Sequence, residues 1–314
     1  MSAVNLISTK PSPPEDGPPR LFDRALVRQH RQRAARTFQD HDFLHARAAD
    51  DLVDRLALVN RKFDTALIIG GGGTLVRAIN DNPIAREKVG TLIQADIAPD
   101  MARHDGVACL ALDEEALPIA EASVDLVLSA LSLHWTNDLV GALIQINYAL
   151  KPDGLFAGAI FGGSTLHELR SVLKIVDGET APPRISPFAD TIDMAGLLGR
   201  AGFAMPVSDI DRVTVRYREP ISLFKDLKNM GESNALVDRS ERPMTRGRLL
   251  DIAARYAADY AEDDGKLPAS FDIIHFSGWG PHPDQPKPKR PGSATARLAD
   301  ALGVDEFSAG DKAG

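Results

Sequence analysis

From residue 61 to residue 217, short apolar runs alternate with stretches whose apolar residues recur every three to four positions. Continuous apolar runs suit strands buried on both faces, and the longer period suits the helices that cover them. The pattern therefore predicts βαβ units and a parallel sheet. Runs at 65–69, 91–96, 106–111, 124–129 and 155–160 are the first five strand candidates, the last introduced by a turn at Lys151-Pro152-Asp153-Gly154. Between the fourth and fifth, 138–150 reads as an amphipathic helix with Leu143, Ile146, Ala149 and Leu150 turned inward, which suits a doubly wound crossover. After a segment at 193–200 and the pair Gly202-Phe203, Ile210, Val213, Val215 and Tyr217 mark a strand of mixed burial at 207–217. Helical stretches at 222–230 and 245–260 lead to a last strand at 271–277, the seventh.

Ahead of the sheet, Phe22, Leu26, Phe38, Leu52, Val53 and Leu56 recur at helical intervals and predict two helices. Arg24, Arg28, Arg31, Arg33 and Arg36 make the first of them basic. Its expected role is a solvated positive face, with contact to an acidic partner surface as the alternative. The organisation that results is a flexible tail at 1–20, helices at 21–60, the sheet domain at 61–280 with a helical insertion near 220–262, and a flexible Pro-rich segment at 281–314.

With 44% hydrophobic and 25% charged residues, the 314-residue chain has the composition of a globular protein with a real core. A net charge of −8 disfavours general affinity for nucleic acid. The lone Cys109 excludes an internal disulfide framework and any cysteine-rich zinc site, and it fits a reducing, cytoplasmic address. No run approaches the roughly 20 apolar residues of a membrane span.

The chemistry concentrates at the ends of the first four strands. Gly70-Gly71-Gly72-Gly73-Thr74 follows the first strand and opens a helix, so the backbone there can approach a nucleotide-like ligand closely. Leu75 and Val76 break a dinucleotide fingerprint, and no Gly-Lys-Ser/Thr ending makes a phosphate loop. Asp96 ends the second strand, where a carboxylate accepts from both hydroxyls of a ribose; capping the helix at 99–103 is the competing role. Asp113-Glu114-Glu115 follows the third strand, and Asp113 is placed to accept from an adenine amino group, unless the segment is a plain acidic turn. His134 and Trp135 at the tip of the fourth strand are acceptor-side candidates or packing residues. His41 and His45 share the i, i+4 spacing of metal ligands but lack the acidic signature of zinc enzymes. His282-Pro283-Asp284 lacks a second histidine, so no metal site is expected.

In this order, glycine loop, Asp96, Asp113-Glu114-Glu115-Ala116-Leu117-Pro118, Ser132-Leu133-His134-Trp135 and Lys151-Pro152-Asp153-Gly154 resemble a class I methyltransferase. The runs at 129–139 and 161–170 resemble more closely the methyltransferase-like assembly factor family of respiratory complex I. Ile185-Ser186-Pro187-Phe188, the run at 197–203, Met230-Gly231-Glu232-Ser233-Asn234 and Gly292-Ser293-Ala294 continue the likeness. The resemblance implies an α/β, Rossmann-like seven-stranded fold, mostly parallel with an antiparallel last strand. It also implies S-adenosyl-L-methionine held by Gly70, Gly71, Gly72, Asp96, Ile97, Asp113, Glu114 and Leu131, and arginine hydroxylation in a complex I subunit. The malonyl-carrier-protein methyltransferase family of biotin synthesis shares the cofactor motifs and is the enzyme alternative. A catalytically silent assembly protein is the other, because the loop departs from the family pattern: Ile68 stands where an acid is usual, and Thr74 where the last glycine is.

Overall fold

The computed structural model describes residues 20–178, 181–188, 191–240, 242–286 and 303. The readings of residues 1–19, 287–302 and 304–314 as flexible, and Gly292-Ser293-Ala294, lie outside the described residues. The chain divides into two compact units after Pro281, and the first carries the sheet.

Seven strands form one sheet: β1 Phe63–Gly70, β2 Val89–Asp96, β3 Ala108–Ala111, β4 Val124–Ala130, β5 Leu150–Phe161, β6 Ala204–Tyr217 and β7 Leu267–Trp279, in the order β3-β2-β1-β4-β5-β7-β6. Strands β1 to β5 are parallel, and β7 runs antiparallel to both of its neighbours. This is the Rossmann-like class I methyltransferase arrangement. The helices are α1 Arg24–Ala34, α2 Phe43–Leu58, α3 Thr74–Asp81, α4 Pro83–Lys88, α5 Pro99–Ala102, α6 Leu139–Ala149, α7 His167–Asp177, α8 Thr191–Arg200, α9 Pro220–Asn229 and α10 Arg246–Tyr260.

The alternation along β1 shows why its run is apolar throughout. Ala66 and Ile68 enter a core with Leu52, Leu56, Leu75 and Ile79 of α2 and α3, whereas Leu67 and Ile69 enter a second core with Leu143 and Ile146 of α6. Both faces are covered, so neither set of positions tolerates polarity. Ile68 is fully buried in the first core, so its side chain packs the sheet and is not aimed at the rim.

Several local expectations shift. β5 begins at Leu150 and runs through the segment expected to be a separate turn, with Asp153 at φ 63°. The short α4, started by Pro83 with the Asn82 side chain accepting from Ala85 N at 3.1 Å, is too brief for periodicity to reveal. His41 lies before α2, not on it, and bonds Asp226 at 2.7 Å; His45 is inside α2, buried edge-on to Phe38. The two do not share a helix face, and among the described residues no group of three or more His, Cys, Asp or Glu is arranged for a metal.

Strand order reverses between β1 and β4: the chain steps outward through β2 and β3, then returns. In open α/β sheets the crevice at such a switch point, beyond the strands' carboxyl ends, is where ligands bind. The glycine loop and the Ser129–Trp135 segment emerge on either side of it.

Candidate functional site

The expected residues do converge on this rim, but the space between them holds the protein's own first helix. Asp23 caps α1, its side chain accepting from Leu26 N at 3.2 Å. The buried stripe of the helix is Val27, His30, Arg31 and Ala34, spaced to lie on one face. Arg24 stands one heptad before Arg31 and so shares that stripe.

Arg31 is fully buried, and its Nε donates to Asp96 Oδ1 at 3.0 Å while Nη2 donates to Oδ2. Ala98 N also donates to Oδ1, at 2.9 Å. Asp96 is itself wholly buried, so the carboxylate read as the ribose acceptor is filled by a bidentate guanidinium. Burial works against the charge of Arg31, but the opposing charge and bonds of Asp96 hold its pKa above the ordinary value.

Arg24 repeats the arrangement at the next strand. Its Nη2 donates to Asp113 Oδ1 at 2.6 Å and to Glu114 Oε2, and its Nη1 to the Trp135 carbonyl at 3.0 Å. Glu114 is 1% exposed and its other oxygen accepts from Ser132 Oγ. Burial disfavours the Arg24 cation, and Glu114 and Asp113 more than offset that. The basic helix is thus split: Arg28, Arg33 and Arg36 are exposed as expected, whereas Arg24 and Arg31 find their acidic partner inside the chain.

The glycine loop is closed in the same way. All four glycines take positive φ, which explains the residue type without a ligand. A Cβ on Gly70 would overlap Ser132, and one on Gly72 would stand 2.5 Å from the Phe38 ring. Gly71 meets Thr74, whose hydroxyl donates to the Gly71 carbonyl at 2.7 Å. Ile97 sits under α1 in a small cluster with Phe22, Val27, Trp135, Ala235 and Leu236. Leu131, fully buried with φ 47°, belongs to the first core. An adenosyl group needs the oxygens of Asp96 and the bare backbone of the loop; here both are committed to Arg31, Phe38 and Ser132, so the residues as arranged do not fit that group.

Beside this filled crevice lies an open cavity of about 680 Å³, lined by Trp135, Phe161, Phe188, Leu169, Phe271 and Glu232 among others. Among the described lining residues its acid is Glu232, placed by the end of α9, and Arg184, Lys225 and Lys228 also stand on the wall. Gly231, at φ 86°, terminates the helix, with its N–H donating to the Lys228 carbonyl at 3.3 Å and Glu232 N to Leu227 O at 2.8 Å. This pair of bonds is the Schellman ending that Met230-Gly231-Glu232 encodes. It turns Glu232 back under the helix, where Oε2 meets His134 Nε2 at 3.0 Å and accepts from Trp135 Nε1 at 3.1 Å.

Glu232 Oε1 is buried and has no hydrogen-bond partner among the described residues. Burial alone raises a carboxyl pKa, but His134 and Arg31 together hold Glu232 below its usual value, so it is an anion at neutral pH. His45, desolvated in the core beside Arg31 and His134, is lowered to about 3 and is neutral. His134 also packs edge-on to Phe161 at 5.1 Å. The two acceptor-side candidates are therefore joined through Glu232, an acid of the Met230-Gly231-Glu232-Ser233-Asn234 motif whose role the sequence alone does not reveal. Its signal was one acid directly after a helix-ending glycine.

The methyltransferase-domain family model matches residues 67–158. The mitochondrial arginine-hydroxylase NDUFAF5 of Rattus norvegicus is 40% identical over 304 residues, spanning 93% of this chain and 87% of its own. The malonyl-[acyl-carrier protein] O-methyltransferase of Laribacter hongkongensis is 32% identical over 305 residues, spanning 91% of this chain and 96% of its own. Among solved structures, the YcgJ protein of Bacillus subtilis aligns with a TM-score of 0.51 at 14% identity, covering 74% of this chain and 98% of that one, a likeness of fold alone.

Proposed function

The chain belongs to the arginine-hydroxylase NDUFAF5 family, built on the methyltransferase domain, and from that premise we propose that it acts on an arginine side chain of a protein partner, a subunit of respiratory complex I, received in the cavity at Glu232. The observation that carries this reading is the unpartnered Oε1 of an ionised, buried carboxylate whose residue lines the same cavity as Trp135, Phe161 and Phe188. A guanidinium is a planar cation with five N–H donors and is more weakly hydrated than an ammonium, so it suits a desolvated carboxylate between rings. Its N–H donates to Oε1, and the faces of Trp135, Phe161 and Phe188 add cation–π attraction. Trp135 and His134 hold the carboxylate in place by binding its other oxygen.

The family and fold are those of S-adenosyl-L-methionine-dependent enzymes. The crevice that would take this cofactor is closed by α1. A cytoplasmic location belongs to the same reading and is supported by the single free Cys109.

The test is binding of short arginine peptides to the whole chain by calorimetry. The expected result is binding of the arginine peptide, more than about tenfold weaker binding when arginine is replaced by uncharged citrulline, and loss of that preference in Glu232→Gln. Equal affinity for both peptides overturns the reading. Mass spectrometry of complex I subunits after gene deletion identifies the modification: disappearance of one oxygen from an arginine peptide supports hydroxylation, and disappearance of a methyl group supports methylation.

A further inference from the structure

Helix α1 occupies the place that this fold reserves for an adenosyl group, and we infer that it does so as a removable plug. In this resting state the chain excludes adenosyl ligands; displacing α1 uncovers a site that accepts them. The plug imitates the ligand's bonding. Arg31 gives Asp96 two N–H donors where a ribose would give two hydroxyls, and Arg24 gives Asp113 and Glu114 donors where an adenine would give its amino group. Phe38, just past the end of α1, lies on Gly72 in van der Waals reach, filling the approach that the glycine leaves open.

Two further features make the plug separable from the rest. The main cores lie on either side of the sheet and include no residue of α1. The helix is seated instead by a small satellite cluster of Phe22, Val27, Ile97, Trp135, Ala235 and Leu236, and by hydrogen bonds of its lead-in residues: Asp23 N to Ala235 O at 2.9 Å, Val237 N to Leu21 O at 2.9 Å and Phe22 N to Asn137 Oδ1 at 2.7 Å. Its fit is also imperfect, since Arg31 Nη1 is buried without a partner among the described residues. A helix held outside the main cores, by one small cluster, a few hydrogen bonds and ion pairs that water and a ligand can replace, is a candidate for local opening without global unfolding. The inference concerns the rim at Asp96 and Glu114; because Trp135 serves both sites and Arg31 also acts on Glu232, its readout is binding of an adenosyl ligand and not of an arginine peptide.

The probe is S-adenosylhomocysteine, titrated by calorimetry into the full chain, into Arg24→Ala/Arg31→Ala, and into Val27→Asn. The third protein loosens the seat of α1 without leaving Asp96 facing a deleted partner, so it decides the matter if the double variant does not fold. Each variant is expected to bind at least about tenfold more tightly than the unaltered chain, because a larger fraction of molecules has the site open. The inference is overturned if the unaltered chain binds as tightly as a variant, or if a folded variant shows no binding at millimolar ligand. If neither variant folds, hydrogen exchange of the unaltered chain at millimolar ligand decides it. The amides of residues 24–34 must lose protection, and unchanged or increased protection overturns the inference.

Discussion

Two carboxylate sites sit side by side at the same rim, and they differ in one respect. At Asp96 both oxygens are met by Arg31 and a backbone N–H, and at Glu114 by Arg24 and Ser132. At Glu232 one oxygen is met by His134 and Trp135 and the other by nothing among the described residues. All three acids are buried, so each needs compensation in a medium that does not solvate charge. The lesson is that position in the fold identifies where a ligand site can be, whereas unfilled bonding capacity identifies where one still is.

The comparison makes its strongest claim at Asp96. Asp96→Ala leaves the Arg31 guanidinium buried and unpaired, and chemical denaturation is expected to show a loss of about 3–5 kcal/mol. A loss below about 1 kcal/mol would show that water already reaches the pair and that the crevice is not closed.

Next in size is acid sensitivity on the open side. His45 has a folded pKa of about 3 against about 6.5 unfolded. Its contribution to stability is therefore complete above pH 6.5 and falls away as pH drops toward 3, because the unfolded chain takes up the proton first. Glu232, also lowered, adds a loss of stability that begins below the ordinary glutamate range of about 4.3. His45→Leu should flatten the decline in denaturation midpoint between pH 7 and pH 5, where Glu232 does not titrate. An unaltered slope would show that His45 is solvated.

Glu232→Gln should be a smaller change in stability, within about 1.5 kcal/mol, since the amide keeps the shape and one oxygen for Trp135. A cost equal to that of Asp96→Ala would mean that Glu232 is as structurally committed as Asp96, and the contrast would disappear. Smallest of all, Arg28→Ala or Arg33→Ala, on the exposed side of α1, should change stability by no more than about 0.5 kcal/mol. Arginines of one helix then differ according to the face they occupy.

How much of this was legible in the chain follows from the range of each signal. The strands were legible because burial on both faces writes short apolar runs, as at 66–69 and 126–128. The rim was legible because Gly70 and Asp96 end their strands and Asp113 follows β3 by two residues, and the topology does the rest. The occupant was not. Arg31 and Asp96 are separated by 65 positions, and an arginine reads the same in sequence whether solvated or buried. Its only trace was its i+4 spacing from Val27 and i−3 spacing from Ala34, which puts it on the apolar stripe. The role of Glu232 was hidden for a similar reason: a glycine-ended helix shows where the chain turns, but not that the turn carries an acid beneath His134.

The chain has two tryptophans, and their placement makes the molecule its own optical instrument. Trp135 lies with its ring 5.2 Å from Phe22, the residue leading into α1, while Trp279 pairs with Leu155 at the opposite end of the sheet. In a Trp279→Phe background all tryptophan emission comes from beside the helix. A red shift on adding a ligand would then time its departure in a stopped-flow cell, with no dye attached.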